Sequence, residues 1–362
     1  MTMSSLLEPA SFTDMPGWAD DDHASALSAF RRTAVEAESR EYRTGGLGIG
    51  FGSLVPAFRA AADTDEARAF FEKFFTPHRI RPQSGDRGFV TGYYEPIVAA
   101  SRRPTPEFSV PLYRPPADLM KVTDETRPAH LDPYLAFARA TPDGLQEYPD
   151  RPAIEGGLLD GQALEIAWLA DAVDAFFVHV QGAARLQFED GTEMRVTYAA
   201  KSGQVFTGPG RVLADLGEIP RELVTMQSIR AWFRDNPHRI DEILHQNRSF
   251  IFFREAPVGD EALGPIAAAK VHLEAGRSLA VDRLLHTFGS PIFVAAEGLN
   301  HEDCPFWRLM IAQDTGSAIV GPARGDIFFG SGDAAGEIAG KVKHAADFFL
   351  LVPNALVAGG GR

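Results

Sequence analysis

Apolar residues recur at Leu27, Phe30, Ala34 and Ala37, and again at Ala67, Phe70, Phe71, Phe74 and Phe75 behind a Thr64/Asp65 start signal. Both spacings place the apolar positions on one face of a 3.6-residue repeat, so the first 75 residues read as helical after a polar leader. The segment 89–96 is strand-like, and proline then becomes dense at Pro104, Pro106, Pro111, Pro115 and Pro116, a composition shift that marks a domain crossing. A helix is expected over 164–176, running into strand-like segments at 177–182 and 184–188. The Asp190-Gly191 pair then turns the chain into 194–198, a strong hairpin signal. Helices near 209–216, 220–233 and 237–246 close this part of the chain. From Phe250 onward the pattern is one of short apolar strands broken by Gly and Pro: 250–253, 264–273, 277–281, 291–296, 306–313, 317–320, 326–329 and 347–352. Such a series predicts a small closed barrel, because closure removes unpaired strand edges.

A chain of 362 residues exceeds what one core usually organises, so two domains are expected, one of them able to sit inside the other. Hydrophobic residues at 45% and charged residues at 23% are the balance of a soluble globular protein rather than a disordered or membrane-embedded one. A net charge of −14 without any dense Lys/Arg stripe argues against nucleic acid or an anionic membrane as partner. The single cysteine, Cys304, rules out an internal disulfide and a cysteine-based zinc site. The ten histidines are scattered and no His-Glu-x-x-His occurs, so neither metal nor other cofactor is expected. The glycine run from Gly45 to Gly52 follows no clear strand and lacks Gly-Lys-Ser/Thr, and reads as a structural loop. The N-terminal residues show no basic region and apolar run of a secretory signal, and no apolar stretch of about 18 residues occurs.

Three aspartates sit among the last strands: Asp282 in Leu-Ala-Val-Asp-Arg, Asp314 in Ile-Ala-Gln-Asp-Thr-Gly-Ser, and Asp326 in Gly-Asp-Ile-Phe-Phe-Gly. Each is flanked by apolar residues where a solvated carboxylate is out of place, so each needs a partner or a function. Should they converge on one barrel, like charges and partial desolvation would raise one carboxyl's pKa. A carboxyl kept protonated near neutral pH can donate a proton to a leaving group, as glycosidic cleavage requires.

These motifs carry a family resemblance. The chain resembles the membrane-bound lytic murein transglycosylase A family at Thr91-Gly92-Tyr93-Tyr94-Glu95-Pro96, at Tyr148 to Gly156, at Val180-Gln181-Gly182, at Met226-Gln227-Ser228-Ile229-Arg230, at Asn247 to Phe253, and at the three aspartate motifs. What the resemblance implies is a mainly β protein with accessory helices: a split double-psi β-barrel domain from residues 1–104 and 250–362, interrupted by an inserted smaller β-rich domain at 105–249, with glycan in the groove between them. It further implies that Asp326 is the catalytic acid, with Asp314 and Asp282 as its companions. Tyr93, Tyr94, Glu95, Gln181, Gly182, Tyr198 and Gln227 are the corresponding substrate-binding candidates. Strand core is an equally good reading of the tyrosines, a turn role of Gln181 and Gly182, and an ion pair of Arg230.

The implied reaction is cleavage of the bond between N-acetylmuramic acid and N-acetylglucosamine in peptidoglycan, with closure of a 1,6-anhydro ring. The implied setting is the periplasm or cell envelope, with outer-membrane association and contact with the cell-wall synthesis machinery among the expectations, and with a monomeric chain. Cys304 lies far from the N-terminus and cannot be the lipid-bearing cysteine of some family members. Three other readings stay open on the residues themselves. Asp314-Thr315-Gly316 resembles an aspartic-protease loop, although no second such loop is present. A double-psi barrel can bind polysaccharide without cutting it. A glycoside hydrolase would use Glu95 or another carboxylate as base beside Asp326.

Overall fold

In the computed structural model, which describes residues 3–82, 87–123, 125–132, 135–301 and 304–359, six strands close into a ring. They are β1 (Gly88–Glu95), β2 (Ser278–Val281), β3 (Pro291–His301), β4 (Cys304–Asp314), β5 (Arg324–Ser331) and β6 (Lys343–Pro353). Around the ring the order is β1, β6, β3, β4, β2, β5 and back to β1. The β2–β4 pair is parallel, while β2–β5, β3–β4, β3–β6 and β1–β6 are antiparallel. The barrel is therefore split: one strand precedes the middle of the chain and five follow it.

Pro291 to Ala296 and Leu309 to Gln313 are buried without alternation. Consecutive burial means that both faces of a strand are covered. Helix α1 (His23–Glu36) packs on β4, with α2 (Phe51–Ala61) and α3 (Ala67–Phe74) packed against α1, and the Trp18 ring lies 5.8 Å from that of Phe293 on β3. Gln313 ties α1 down, its amide donating to Ala29 O and Thr33 Oγ1 at 2.8 Å each. The start of α3 differs from expectation: Glu66 is its N-cap, and Thr64 Oγ1 accepts from the Glu66 N–H one step earlier. The glycine run is a structural connector, with Gly46 N–H donating to Leu284 O at 2.7 Å and Leu47 N–H to Leu285 O at 3.0 Å. Two expected strands are absent. Residues 264–273 form a tight loop with an isolated bridge between Ile266 and His272 and backbone bonds such as Gly264 N–H to Leu273 O at 2.8 Å, and 317–320 contains a turn. Both are apolar runs too short for periodicity to separate strand from turn.

The chain divides into two compact units, Met1–Tyr94 with Asp260–Arg362, and Glu95–Gly259. The second unit begins nine residues before the proline-rich stretch and ends past Phe250, because Ile97–Ser101 and Ile251–Ala256 are strands of its own sheet. That six-stranded sheet runs in the order Ile251–Ala256, Glu193–Lys201, Ala183–Phe188, Ile97–Ser101, Glu165–Leu169, Val110–Tyr113. The hairpin at Asp190-Gly191 is present, joining Ala183–Phe188 to Glu193–Lys201. The helix expected over 164–176 is displaced: Glu165–Leu169 is a strand, and the helix is Ala172–Gln181. Asp171 starts it by accepting from Asp174 N–H at 2.8 Å, and Gly182, at φ +74°, ends it in the left-handed conformation that favours glycine. The run at 177–182 is thus the last turn of a helix and its cap, not a strand, with Phe177 to His179 buried and Val180 exposed. Among the described residues no helix is long and apolar enough to cross a membrane.

Candidate active site

β2 lies between β4 and β5, and Ala280 at its centre is paired with Asp314 on one side and Asp326 on the other. Side chains opposite one another on neighbouring strands share a face, so the two carboxyls meet across a methyl group. On β5 the alternation puts Arg324, Asp326 and Phe328 on one face, and Gly325 between them has its back against Leu279 and Phe348 in the barrel interior. On β1 the same alternation aligns Thr91 with Tyr93.

The two faces are knit together by short contacts. Thr91 Oγ1 donates to Asp326 Oδ1 at 2.5 Å, and Arg324 Nη2 donates to Thr91 Oγ1 at 2.7 Å. The Tyr93 hydroxyl donates to Asp314 Oδ2 at 3.0 Å, and its ring lies 5.3 Å from that of Phe328. Ala268 N–H supplies a second donor to Asp314, at Oδ1 and 3.2 Å.

Thr91, Tyr93, Asp314 and Asp326 are all half-buried. Burial pushes the Asp326 carboxyl up to about 6, opposed by the Thr91 hydroxyl and the Arg324 charge and assisted by the negative charge of Asp314. Burial also raises Asp314, while the N–H groups of Thr315 and Ala268, the Tyr93 hydroxyl and the Lys270 charge pull it back. Tyr93 is held well above its ordinary value by burial and then by the adjacent Asp314 and Asp326. A carboxyl near 6 is protonated for part of the population at neutral pH, which suits an acid that gives up a proton and takes one back.

Asp282 has a different environment. It follows the end of β2, and its oxygens accept from Leu284 N–H and Gly321 N–H at 2.9 Å each, tying together the two loops beside the strand. Its charge bears on His286, whereas the negative charge acting on Asp326 is that of Asp314.

The remaining candidates divide between core and surface. Tyr94 is buried, its ring packed against Gly336 of the helix Asp333–Ala339. Glu95 is fully buried in the second unit, clasped by Arg195 at 2.7 and 3.1 Å, with Arg185 3.6 Å away. Its carboxylate is thus turned to two guanidiniums rather than to a ligand. Gln181 and Gly182 sit half-buried at the end of their helix, and Tyr198, 43% exposed, donates its N–H to Gly182 O at 2.7 Å. Gln227 is half-buried in the first turn of the helix Met226–Asp235, and Arg230 further along it pairs with Asp174. Gly182 and Tyr198 are therefore neighbours, as are Tyr93, Asp314 and Asp326.

Sequence reasoning passed over Thr91 and Arg324. Each lies two residues before a candidate, Tyr93 or Asp326, on the same strand, and that spacing of two was the available signal.

Residues 89–254 match the family described as MltA specific insert domain, and residues 277–352 match the 3D domain. Membrane-bound lytic murein transglycosylase A of Vibrio cholerae is 30% identical over 268 residues, which are 70% of this chain and 62% of that protein. The match thus spans less than two thirds of that relative's length. The crystal structure of a membrane-bound lytic murein transglycosylase from Agrobacterium tumefaciens is 48% identical and superposes with a TM-score of 0.92, covering 98% of this chain and 99% of that one. MltA from Neisseria gonorrhoeae, in a monoclinic crystal form, is 33% identical with a TM-score of 0.77, covering 96% of this chain and 92% of that one.

Proposed function

The chain belongs to the membrane-bound lytic murein transglycosylase A family, and from that membership we propose that it cleaves the glycan strands of peptidoglycan between N-acetylmuramic acid and N-acetylglucosamine, with Asp326 as the acid. The observation that carries this reading is a half-buried carboxyl held at about 6 on a barrel strand, close enough to Asp314 to feel its charge. Protonated Asp326 gives its proton to the bridging oxygen as the sugar gains oxocarbenium-like character. The carboxylate left behind takes the proton of the sugar's sixth-carbon hydroxyl, which closes the 1,6-anhydro ring. No water is consumed, so no second carboxylate is needed to hold one, in contrast to an inverting hydrolase. Asp314 tunes Asp326, Asp282 braces the loops next to β2, and Gln181, Gly182, Tyr198 and Gln227 are the sugar-contacting candidates of the second unit. A protein acting on this polymer works in the cell envelope.

Digestion of intact sacculi followed by mass spectrometry of the released muropeptides tests the reaction. Anhydro ends, one water lighter than reducing ends, are expected. Reducing ends would make the protein a hydrolase, and an absence of soluble products would make it a binding module.

The pH dependence has a definite sign. The first step needs the protonated acid, so the rate should fall as pH rises through about 6, approaching tenfold per unit beyond it. Asp314→Asn removes a negative neighbour that raises the Asp326 pKa, so the midpoint of that fall should move to lower pH. An unmoved midpoint in the variant would show that Asp314 does not tune the acid.

A further inference from the structure

We propose that Thr91 is a positioning residue that decides which oxygen of Asp326 carries the exchangeable proton: Oδ1 is held as an acceptor, and donation to and recovery from the sugar both run through Oδ2. This assignment rests on the transglycosylase reading of the site and adds to it an atom-level constraint.

The basis is a count of hydrogens. A guanidinium has five donors and no acceptor, and a threonine hydroxyl has one proton. Arg324 Nη2 lies 2.7 Å from Thr91 Oγ1 and can only donate to it. Against the ionised carboxylate, which can only accept, the single Thr91 proton is directed at Asp326 Oδ1, 2.5 Å away. A proton on Oδ1 would require the Thr91 hydroxyl to turn its own hydrogen away, whereas a proton on Oδ2 leaves that hydrogen bond intact, so the neutral acid carries its proton on Oδ2. Among the described residues, no protein donor is hydrogen-bonded to Oδ2.

Arg324 is itself held in place. Its Nη1 donates to Gly325 O, and its guanidinium sits over the Phe89 ring, 5.5 Å from the centroid. The charged and titratable groups facing Asp326 are Arg324 on its own strand, Asp314 on β4 and Tyr93 on β1. None of these hydrogen-bonds Asp326 directly, and the Tyr93 hydroxyl is engaged by Asp314.

The chemistry then runs through one atom. The Oδ2–H bond breaks and its proton moves to the bridging oxygen. The bond from that oxygen to the anomeric carbon breaks, and its electron pair leaves with the departing sugar as a hydroxyl. The sixth-carbon oxygen bonds to the anomeric carbon, and its proton returns to Oδ2. Oδ1 takes no part, because the Thr91 hydroxyl occupies it throughout.

Thr91→Val keeps the shape and removes the hydroxyl, whereas Thr91→Ser keeps the hydroxyl. Two measurements on the full chain test the assignment: the rate of muropeptide release against pH, and the titration of the Asp326 carboxyl by carbon-13 NMR, its signal identified by its loss in Asp326→Asn. In T91V, kcat on the low-pH plateau should fall on the order of tenfold with KM within about twofold of wild type. Both midpoints should move up by about one pH unit, since the lost donor favoured the ionised form. T91S should restore rate and midpoint together.

A T91V protein with the wild-type midpoint and kcat overturns the assignment, as does a T91S protein as impaired as T91V, which would reduce Thr91 to packing. Should the wild-type chain release no anhydro products while the NMR midpoint still moves in T91V, the transglycosylase reading fails and the proton assignment stands. An active wild-type chain with unmoved midpoints does the reverse.

Discussion

Replacing Asp326 by Ala is expected to lower the rate of muropeptide release by at least about a thousandfold while leaving the fold and glycan binding largely intact. General acid catalysis by one positioned group is commonly worth 10²–10⁴-fold. Here the same carboxyl acts twice, first as acid and then as base, so no other group is placed to rescue either half. Asp314 is the nearest alternative, but both of its oxygens are engaged, by Tyr93 at 3.0 Å and by Ala268 N–H at 3.2 Å. Initial rates on purified sacculi, with circular dichroism and a pelleting assay as controls, measure the effect. Turnover within about tenfold of wild type in D326A would remove this residue from the mechanism.

The isosteric Asp326→Asn should be equally inactive and should also report on stability. The folded-state value of about 6 lies above the ordinary 3.8, so the folded chain holds this proton more tightly than the unfolded chain does. The associated stability is fully present below about 3.8 and is lost as pH rises through about 6. The amide has no charge to bury. D326N should therefore melt higher than wild type at pH 8, by on the order of 1 to 2 kcal/mol once partial exposure of the carboxyl is discounted, and the difference should vanish near pH 4.

Glu95→Ala is expected to produce the largest loss of stability. The side chains of Glu95 and Arg195 are 0% and 1% exposed, and Arg185, at 7%, faces the same carboxylate. Removing the carboxylate takes from the buried Arg195 guanidinium the group that clasps it, and leaves Arg185 with Glu193, 3.9 Å away. Breaking a buried pair in this way costs about 3–5 kcal/mol. For a unit of this size that corresponds to a fall of roughly 10 °C in its melting transition. Calorimetry measures it directly, and a shift under about 2 °C would show that the pair is dispensable. Assays well below the melting transition carry a second consequence: if E95A retains turnover, Glu95 is not the base of a hydrolase.

The aspartates on the barrel were legible in the sequence because a charged residue inside an apolar run is conspicuous whatever its surroundings. Asp314 and Asp326 stand out in that way, and their meeting across Ala280 follows once the strands are placed. Thr91 and Arg324 were less visible. A threonine is an ordinary strand residue and an arginine at a strand start is an ordinary surface residue, so their roles emerge only from pairing between distant segments. The buried pairing of Glu95 was hidden for a related reason. Its partners Arg185 and Arg195 lie about a hundred residues away, and nothing near Glu95 announces a buried ion pair. The shift from strand to helix at 177–182 has a local cause: short buried helices and strands share the same apolar composition, and only Asp171 and Gly182 at the ends separate them.

The division of the barrel between the two ends of the chain has a consequence for biogenesis. β1 ends at Glu95, and its neighbour β6 begins at Lys343, about 250 residues later. At translation rates of roughly 5–20 residues per second, β1 emerges about 12 to 50 s before that partner exists. During the interval the middle unit can complete its own sheet and the early helices can pack Phe30 against Phe58, Phe70 and Phe71, whereas β1 and the helix faces that meet the late strands stay uncovered. Newly made chain should therefore depend on a holding chaperone until the last strand arrives, and truncation before residue 343 should yield aggregates rather than a smaller soluble product.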